Sequence, residues 1–474
     1  LYGERQVYPR LFQRRESYHQ QLVGLGVGKL PVGQAGILRP GRDMIELPQA
    51  FMQRMQQRLG PEAPAFFACY DQPPRRGLRV NPLRLSVADF LRISPVALEP
   101  GGILPEGFLL PPDAPPLGNH PYHLAGMFYL QEPSAMAPIG ALEVEPGLRV
   151  LDLCAAPGGK SGGIAARLAG QGLLVANEVV PGRAKTLRFT LERLGVANGV
   201  ATCARPDVLC EALPGYFHRV LVDAPCSGEG MFRKDPAAVA AWSPQHVAAC
   251  AKRQQAILGS AAQAVAPGGL LVYSTCTFSQ EENQGVVEDF LKRHPAFQLE
   301  SAETLYPHRV KGEGHFVARL RHAGSVGVEK PLGELSLPQC KDAAFSAFCK
   351  DTFSGPLPGK PVQLPDGRVL LLPQPLPKGL ERVHMLTAGV YAGDLVRGRF
   401  QPSHALAMAA GLSWARRGAP PGGGLGRYLA GETLEVDAGL TGWCRVETAG
   451  CPLGLGKGVN GTLKNHLSKG LRLR

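Results

Sequence analysis

Between residues 148 and 294, short apolar segments alternate with longer amphipathic ones. The alternation predicts strands at residues 148–153, 173–177, 220–222 and 270–274, and helices at residues 161–168, 183–194, 245–265 and 281–294. Strands that are separated by helices form a mostly parallel sheet with helices on both faces. We therefore predict an α/β fold of residues 126–322, in which ligands bind beyond the carboxyl ends of the strands.

The flanking segments predict smaller domains. Helical spacing over residues 47–59, a strand at residues 75–82 and a proline-rich stretch at residues 105–121 suggest an N-terminal domain of residues 44–125. We expect a linker or small intermediate domain at residues 323–385, with a hairpin turn at Pro365-Asp366-Gly367. Glycine-broken short segments indicate a mainly β domain at residues 386–474. Residues 1–43 show no sustained period and precede the first methionine, Met44, so we expect a disordered or non-native leader.

The net charge and the spacing of the cysteines limit the kinds of partner, compartment and metal site that we expect. The net charge is +12, and the C-terminal end carries Lys464, His466, Lys469, Arg472 and Arg474. Such a segment suits a polyphosphate partner, although a solvated tail explains it equally well. The 11 cysteines include no CxxC pair and no zinc-like spacing, which predicts reduced thiols, a cytoplasmic location and no metal site. No apolar run approaches the about 18 residues of a membrane span, so we expect no membrane partner.

A glycine-rich turn follows the first predicted strand and precedes a helix. Its residues are Cys154, Ala155, Ala156, Pro157, Gly158, Gly159 and Lys160. The pattern fits neither the dinucleotide nor the nucleoside-triphosphate signature, but it lets a ligand approach the backbone. Glu178 ends the next strand, where a carboxylate can accept hydrogen bonds from ribose hydroxyls. The alternative role for Glu178 is a carboxylate at a helix N-terminus.

Two cysteines follow later strands of the same predicted sheet. Asp223 and Cys226 come after the strand at residues 220–222, and Cys276 follows the strand at residues 270–274. A single cysteine is more often a small buried hydrophobe than a catalyst. Two of them at neighbouring strand ends, beside an acid, favour a reactive site. The residues alone do not decide which cysteine attacks a substrate.

The pieces LDLCAAPGGK, DAPCSGEGMF and YSTCTF resemble the RNA (cytosine-5)-methyltransferases of the RsmB/RsmF type. The resemblance runs from about residue 47 to residue 321 and includes YLQEPSAM at residues 129–136. The C-terminal pieces GRFQPSHALA, YLAGETL and PLGLGKGVNGTLKNHLSKGLR resemble the terminal RNA-binding domain of the RsmF branch. This resemblance implies a Rossmann-like class I methyltransferase core, a small α+β N-terminal RNA-binding domain and a mainly β PUA-like C-terminal domain.

The resemblance also implies catalytic roles. Cys276 would be the nucleophile that adds to carbon 6 of cytosine, and Cys226 would assist product release. Asp223 would hydrogen-bond the base edge near N3. Lys160 would support the thiolate or contact the cytosine.

By the same resemblance the methyl donor is S-adenosylmethionine. It would lie across the turn from Cys154 to Lys160, with Glu178 on its ribose, and Asp223 would contribute to the cofactor site as well as to the base site. Arg183 is a candidate neighbour of this pocket. Asp207 is the nearest match to an acid beside the adenine, although a simple turn aspartate explains it too.

The implied substrate is small-subunit (16S) ribosomal RNA, and a monomer is the default expectation. Arg75, Arg76 and Arg79, together with the basic C-terminus, would hold the RNA backbone; ordinary surface charge is the alternative. Other functions stay open: methylation of transfer RNA, of DNA or of a small molecule, and a non-catalytic RNA-binding role in ribosome assembly.

Overall fold

The computed structural model describes residues 46–324 and 332–473, so the expected leader at residues 1–43 lies outside the described residues. The N-terminal part contains a four-stranded antiparallel sheet of order β2-β3-β1-β4, with helices around it. Its elements are α1 (Gln49–Leu59), α2 (Ala63–Ala68), β1 (Gly77–Val80), α3 (Val87–Ile93), β2 (Glu99–Pro100), β3 (Gly107–Leu109), α4 (Pro121–Leu124) and β4 (Phe128–Leu130). Because β4 pairs with β1, this unit extends past the expected boundary at residue 125.

The central part alternates strands and helices as the sequence predicts. Its elements are α5 (Ala137–Ala141), β5 (Arg149–Asp152), α6 (Gly159–Leu168), β6 (Leu173–Asn177), α7 (Pro181–Leu194), β7 (Gly199–Cys203), α8 (Pro206–Ala212), β8 (Phe217–Asp223), α9 (Pro236–Ala241), α10 (Pro244–Ala264), β9 (Val265–Thr275), α11 (Gln284–Arg293), β10 (Phe297–Leu305) and β11 (His315–His322). Each of the four predicted strands and four predicted helices is present, with ends that differ by a few residues.

The C-terminal part is mainly β. Its elements are α12 (Ala343–Thr352), β12 (Lys360–Gln363), β13 (Arg368–Leu372), β14 (His384–Ala388), β15 (Val390–Val396), β16 (Arg399–Pro402), α13 (His404–Met408), β17 (Arg417–Gly418), α14 (Leu425–Ala430), β18 (Leu434–Glu435), β19 (Gly442–Thr448), β20 (Cys451–Val459) and β21 (Thr462–Asn465). The predicted hairpin at Pro365-Asp366-Gly367 is confirmed, since it joins the antiparallel strands β12 and β13. Short 3₁₀ segments lie at Gly60–Glu62, Cys69–Asp71, Ser134–Met136, Glu229–Met231, Lys378–Arg382, Pro421–Gly423 and Lys469–Leu471.

The central sheet has the order β10-β11-β9-β8-β5-β6-β7-β14. Its five middle strands, β9 to β7, are mutually parallel, and the outer three pair antiparallel. The predicted mostly parallel sheet is thus confirmed. Successive residues of β5 face opposite sides: Val150 packs towards α6 and α7, whereas Leu151 packs towards α8, α10 and α11. Both faces of the sheet are therefore buried.

The expected boundary between residues 385 and 386 is wrong. Strands β12, β13, β15 and β16 form one sheet that spans residues 360–402. The boundary also falls inside β14, which leaves this sheet and pairs with β7 of the central sheet. Turn residues alone suggested the boundary, and they do not show that β13 pairs with β15 past β14 or that β14 pairs with β7. We propose instead that the intermediate unit continues to about residue 410.

The last sheet, of order β17-β19-β20-β21-β18, packs against the N-terminal sheet. Tyr428 and Leu453 belong to the same buried cluster as Leu78 and Phe128. The two terminal domains therefore share a core on one side of the central domain. None of the helices within residues 46–324 and 332–473 has the length and hydrophobicity that a membrane crossing requires.

Candidate active site

Four loops meet at the carboxyl ends of adjacent parallel strands. The glycine-rich turn follows β5, Glu178 follows β6, Asp223 ends β8 and Cys276 follows β9. These strands neighbour one another in the order β9-β8-β5-β6. The structure thus places the predicted donor-binding residues and both candidate cysteines on one edge of the sheet.

Close packing explains the two glycines of the turn. A Cβ atom on Gly158 would lie 2.9 Å from the Thr190 side chain of α7, and the φ of Gly158 is +109°. A Cβ atom on Gly159 would lie 2.7 Å from the ring of Tyr129 on β4. Larger residues would displace either α7 or the N-terminal sheet. The turn is therefore held between two domains.

Arg79 supports this turn and is not available to RNA. Its side chain is buried; Nε donates to Gln131 Oε1 at 3.1 Å and Nη2 donates to the carbonyl oxygen of Gly159 at 2.8 Å. The expectation that Arg79 holds the RNA backbone is therefore wrong, because a strand side chain here faces the core. Arg76 is exposed and Arg75 is half-buried, as that expectation requires of them.

Neighbouring residues hold the Glu178 carboxylate, the candidate ribose-binding group, in place. Glu178 Oε1 accepts a hydrogen bond from the Val180 amide at 2.9 Å, and Arg183 lies 3.3 Å from Oε2. Arg183 also donates to the carbonyl oxygen of Ala156 at 3.0 Å, so it joins Glu178 to the glycine-rich turn. Asp207 lies one strand further along the edge, in the first turn of α8, where Arg205 pairs with it and lowers its pKa.

The two candidate catalytic cysteines are in contact. Their Sγ atoms are 3.2 Å apart, and both residues are half-buried. The hydrogen bond with Cys276 and burial raise the pKa of Cys226 well above that of a free thiol. This is the direction expected when Cys226 keeps its proton and Cys276 accepts it as a hydrogen bond. Burial also raises the pKa of the nearby Cys154, which argues against Cys154 as a thiolate.

An ion pair lies beside the cysteines. Lys160 Nζ donates to Asp223 Oδ2 at 2.7 Å, while Ser274 Oγ donates to Asp223 Oδ1 at 2.8 Å. His315 Nε2 lies 3.4 Å from Oδ1. Burial would raise the pKa of Asp223, but Lys160 and His315 outweigh burial and hold it far below its usual value. Burial likewise opposes the charge on Lys160, yet Asp223 raises the pKa of Lys160 overall, so both groups are ionised at neutral pH.

Family models match almost the whole described chain. Residues 139–321 match "16S rRNA methyltransferase RsmB/F", and residues 47–133 match the N-terminal domain of 16S rRNA methyltransferase RsmF. The first C-terminal domain of the RsmF rRNA methyltransferase matches residues 347–410, and the RsmF PUA domain matches residues 425–473. The chain belongs to the RsmB/F family.

Curated relatives of the RsmB/F family agree with this assignment. The ribosomal RNA small subunit methyltransferase F of Erwinia tasmaniensis is 43% identical over 306 residues, which is 59% of this chain and 64% of the relative. The protein of the same name from Cronobacter sakazakii is 42% identical over 307 residues, with the same coverage. The chain thus spans slightly less than two thirds of the length of these relatives.

Solved structures support the RsmB/F fold assignment. A methyltransferase homolog protein from Pyrococcus horikoshii aligns with a TM-score of 0.53 and 29% identity, over 58% of this chain and 96% of that one. NSun6 from Pyrococcus horikoshii aligns with a TM-score of 0.54 over 60% of this chain and 100% of that one. Its 21% identity carries only the fold. The expected methyltransferase core with its N-terminal and PUA domains is therefore confirmed.

The sequence did not single out several residues of this RsmB/F site. His315 and Ser274 contact Asp223, and the buried carboxylates of Glu229 and Glu282 lie in the loops around the cysteines. The segment from residue 312 to residue 316 resembles the family, but nothing in its spacing gave His315 a role. Antiparallel pairing of Phe316 with Thr275 brings His315 beside Cys276, and that pairing is visible only in the fold.

Proposed function

We propose that this chain methylates carbon 5 of a cytosine in RNA, with Cys276 as nucleophile and S-adenosylmethionine as methyl donor. One observation carries the proposal: Cys226 and Cys276 lie 3.2 Å apart, beside an ionised Lys160–Asp223 pair. An acid, a cation and two thiols on one edge of a methyltransferase sheet suit covalent activation of a pyrimidine ring. A small-molecule methyltransferase would not require the second cysteine or the terminal domains.

The chemistry assigns a role to each side chain. The Cys276 thiolate adds to carbon 6, and the displaced electrons make carbon 5 a nucleophile that forms the bond to the methyl carbon, while the bond between that carbon and the donor's sulfur breaks and its electrons stay on the sulfur. After transfer, the proton on carbon 5 leaves to a base, and its bonding electrons restore the ring double bond. The bond between carbon 6 and sulfur breaks, and Cys276 departs as a thiolate. Cys226, as a thiol, donates a hydrogen bond to that leaving sulfur.

The ion pair is suited to reading the base. An ionised carboxylate only accepts hydrogen bonds, so Asp223 would accept from the exocyclic amino group of cytosine. The Lys160 ammonium is then the donor for N3, where negative charge develops as the thiolate adds. Their mutual hydrogen bond fixes both groups before the base arrives. Cytosine is thus distinguished from uracil, which presents a carbonyl oxygen in place of the amino group.

The donor site fits S-adenosylmethionine. The glycine-rich turn follows the carboxyl end of β5, where ligands of such sheets bind, and the Glu178 carboxylate at the next strand end can accept hydrogen bonds from ribose hydroxyls. Arg183 and Ala156 complete the wall between them. Bound there, S-adenosylmethionine supplies an electrophilic methyl group. Asp207 stays a candidate for the adenine end, since it follows β7, the next strand of the same edge.

We further propose small-subunit ribosomal RNA as the substrate, in the cytoplasm, with the chain acting as a monomer. The names of the curated relatives and of the matched domains support this choice. A stacked base is inaccessible, so the target cytosine must be extruded or already unpaired. Arg75, Arg76 and the basic C-terminal side chains Lys464, His466 and Lys469 are candidates for holding the RNA backbone around it.

The test is methyl transfer from radiolabelled S-adenosylmethionine to purified small-subunit RNA, assembled small subunits and bulk transfer RNA. We expect 5-methylcytidine in ribosomal RNA and none with Cys276→Ala. Label in transfer RNA alone would show that transfer RNA, and not small-subunit ribosomal RNA, is the substrate. Label no greater than that of Cys276→Ala on every RNA would favour a non-catalytic assembly factor.

A further inference from the structure

Glu282 holds the loop that carries Cys226 (residues 224–228, the Cys226 loop). Its Oε2 atom accepts hydrogen bonds from the Ser227 amide at 3.0 Å and from Gln254 Nε2 at 2.8 Å. The Gln254 amide group also donates to the carbonyl oxygen of Pro225 at 3.0 Å. Both neighbours of Cys226 are therefore fixed by one carboxylate and the glutamine bound to it.

Glu282 belongs to the segment that carries Cys276 (residues 276–283, the Cys276 loop), so it joins the two loops. The Ser227 and Thr277 hydroxyls are also 2.9 Å apart, and the Gly230 amide donates to the carbonyl oxygen of Cys276 at 2.9 Å. The contact between the two sulfur atoms thus depends on a small set of buried bonds between the loops. Glu282 is the ionisable residue of this set, and its carboxylate accepts a hydrogen bond from Ser227, the residue next to Cys226.

The charge of Glu282 is costly where it lies. The side chain is fully buried, and its hydrogen bonds come from neutral donors, the Ser227 amide and the Gln254 amide group. Its Oε1 atom is buried and has no hydrogen-bond partner among residues 46–324 and 332–473. Burial raises the pKa of Glu282, although the bonds from Ser227 and Gln254 partly offset this. A glutamine amide could accept the same hydrogen bonds at a smaller desolvation cost. The presence of a carboxylate therefore indicates a role for its charge.

We propose that Glu282 is a positioning residue of the cysteine pair, which seats the Cys226 loop against Cys276 and keeps the shared proton on Cys226. This role rests on the proposed function, which assigns Cys276 as the nucleophile. The Glu282 carboxylate bonds Ser227, the residue next to Cys226. Its negative charge therefore disfavours a second negative charge on Cys226. Cys276 is then the sulfur that carries the negative charge, and Cys226 remains the hydrogen-bond donor.

Electrostatics around Cys226 agree with this geometry. After the hydrogen bond with Cys276, burial and the Cys276 charge, the charge of Glu282 is the next influence that raises the pKa of Cys226. Within the described residues, Glu282 also interacts electrostatically with other titratable groups, namely His246 and Cys250 of α10, Tyr273 of β9 and the carboxyl of Glu229. Of these, His246 lowers the pKa of Glu282 and so favours its ionised form.

Glu229 provides a matched control. It is also a buried carboxylate that bonds the Cys276 loop, because Oε2 accepts from the Phe278 amide at 2.9 Å, while Oε1 accepts from Trp242 Nε1 at 3.0 Å. Unlike Glu282, it does not bond a neighbour of Cys226 and is not among the main influences on the pKa of the Cys226 thiol. Glu229→Gln therefore disturbs the same region without removing the charge in question.

The experiment measures alkylation of each cysteine by iodoacetamide as a function of pH, with peptide mass spectrometry on the full chain. In Glu282→Gln we expect the midpoint for Cys226 to fall by roughly half a unit to one unit, and in Glu229→Gln to stay at the wild-type value. Turnover of Glu282→Gln on RNA should show a lower kcat with little change in KM, since Glu282 does not reach the substrate. Equal midpoints for Cys226 in Glu282→Gln and wild type would overturn the proposal.

Glu282→Asp keeps the test decisive if Glu282→Gln does not fold. It retains the charge but shortens the reach to Ser227, so we expect slower turnover with an unchanged Cys226 midpoint. A clear fall of the midpoint in Glu282→Asp would contradict the charge argument. Because alkylation requires neither RNA nor methyl donor, its outcome is independent of whether the chain methylates RNA.

Discussion

Arg79 on β1 donates a hydrogen bond to the carbonyl oxygen of Gly159 at the start of α6, 2.8 Å away. The N-terminal sheet thus supports the glycine-rich turn. Burial lowers the pKa of Arg79 to about 10, which still leaves the guanidinium charged at neutral pH. The domain that we propose contacts RNA is therefore bonded directly to the turn that we propose holds the methyl donor.

Replacing Arg79 should weaken both the fold and donor binding. Arg79→Met leaves the Gly159 carbonyl and the Gln131 side chain without their donor, at a cost of about 1–3 kcal/mol. We expect a lower free energy of unfolding in urea and weaker S-adenosylmethionine binding by calorimetry. Arg76→Met is the control: the side chain is exposed, water can replace its hydrogen bonds to the carbonyl oxygens of Ala114 and Pro115, and the change should cost less than about 1 kcal/mol. Equal stability and donor affinity for the two variants would refute this support role.

Two glycines on different helices should respond oppositely to alanine. In Gly163→Ala the new Cβ would lie 2.6 Å from Ile139 and 3.1 Å from the Arg79 guanidinium, so we expect a loss of about 1–3 kcal/mol. Gly182, in the first turn of α7, has open space around it, and alanine there should be neutral or stabilise by up to about 1 kcal/mol. Thermal unfolding of both variants tests this contrast; a Gly163→Ala protein as stable as Gly182→Ala would contradict the packing.

Local pattern predicted the central domain well. The buried strands at residues 173–177 and 220–222 are short apolar runs between turn signals, and their alternation with helices determines the parallel order. Strand β14 was not predicted, because its partner β7 lies almost 200 residues earlier in the chain and no local signal reports that pairing.

The candidate site was predicted to a similar extent. Four predicted site residues come together because each lies at or after the carboxyl end of a parallel strand. They are Cys226, Cys276, Asp223 and Lys160. Burial was not predictable for Arg79, since arginine is rarely found in a core. Its neighbours, Gly162 and Gly163, leave the space that accommodates the guanidinium.

Loss of the Asp223 charge should impair catalysis much more than loss of one of its hydrogen bonds. We expect Asp223→Asn to lower kcat about 100-fold or more and Ser274→Ala to lower it about three- to tenfold. Burial lowers the pKa of Lys160 and Asp223 offsets that effect, so Asp223→Asn should also move the alkaline limb of the rate profile to lower pH. Rate profiles of the two variants provide the measurement. An unshifted alkaline limb in Asp223→Asn would contradict the coupling of Lys160 to Asp223.

Asp152 should make stability depend on pH. Burial raises the pKa of this carboxyl to about 7, with Ser161 Oγ donating to it at 2.6 Å. A raised pKa means that the folded state holds the proton more tightly, so this contribution to stability is present at low pH and is lost as the pH rises towards 7. Relative to Asp152→Asn, the wild type should therefore lose up to about 1.4 kcal/mol per pH unit between about pH 4 and pH 7. Urea unfolding across that range tests the slope.

Ser161→Ala is the companion variant for Asp152. It keeps the carboxyl but removes a hydrogen bond that lowers its pKa, so the loss of stability should continue above about pH 7. A constant difference between wild type and Asp152→Asn at every pH would show that Asp152 has an ordinary pKa in the folded state.

The central claim is the division of roles between two cysteines whose sulfur atoms are 3.2 Å apart. Its most direct test is Cys226→Ala incubated with small-subunit RNA and S-adenosylmethionine, followed by denaturing electrophoresis. If Cys226 assists release, this variant should accumulate an RNA–protein adduct through Cys276, and Cys226→Ala/Cys276→Ala should form none. Absence of an adduct in Cys226→Ala, while the wild type methylates the same RNA, would contradict the assignment.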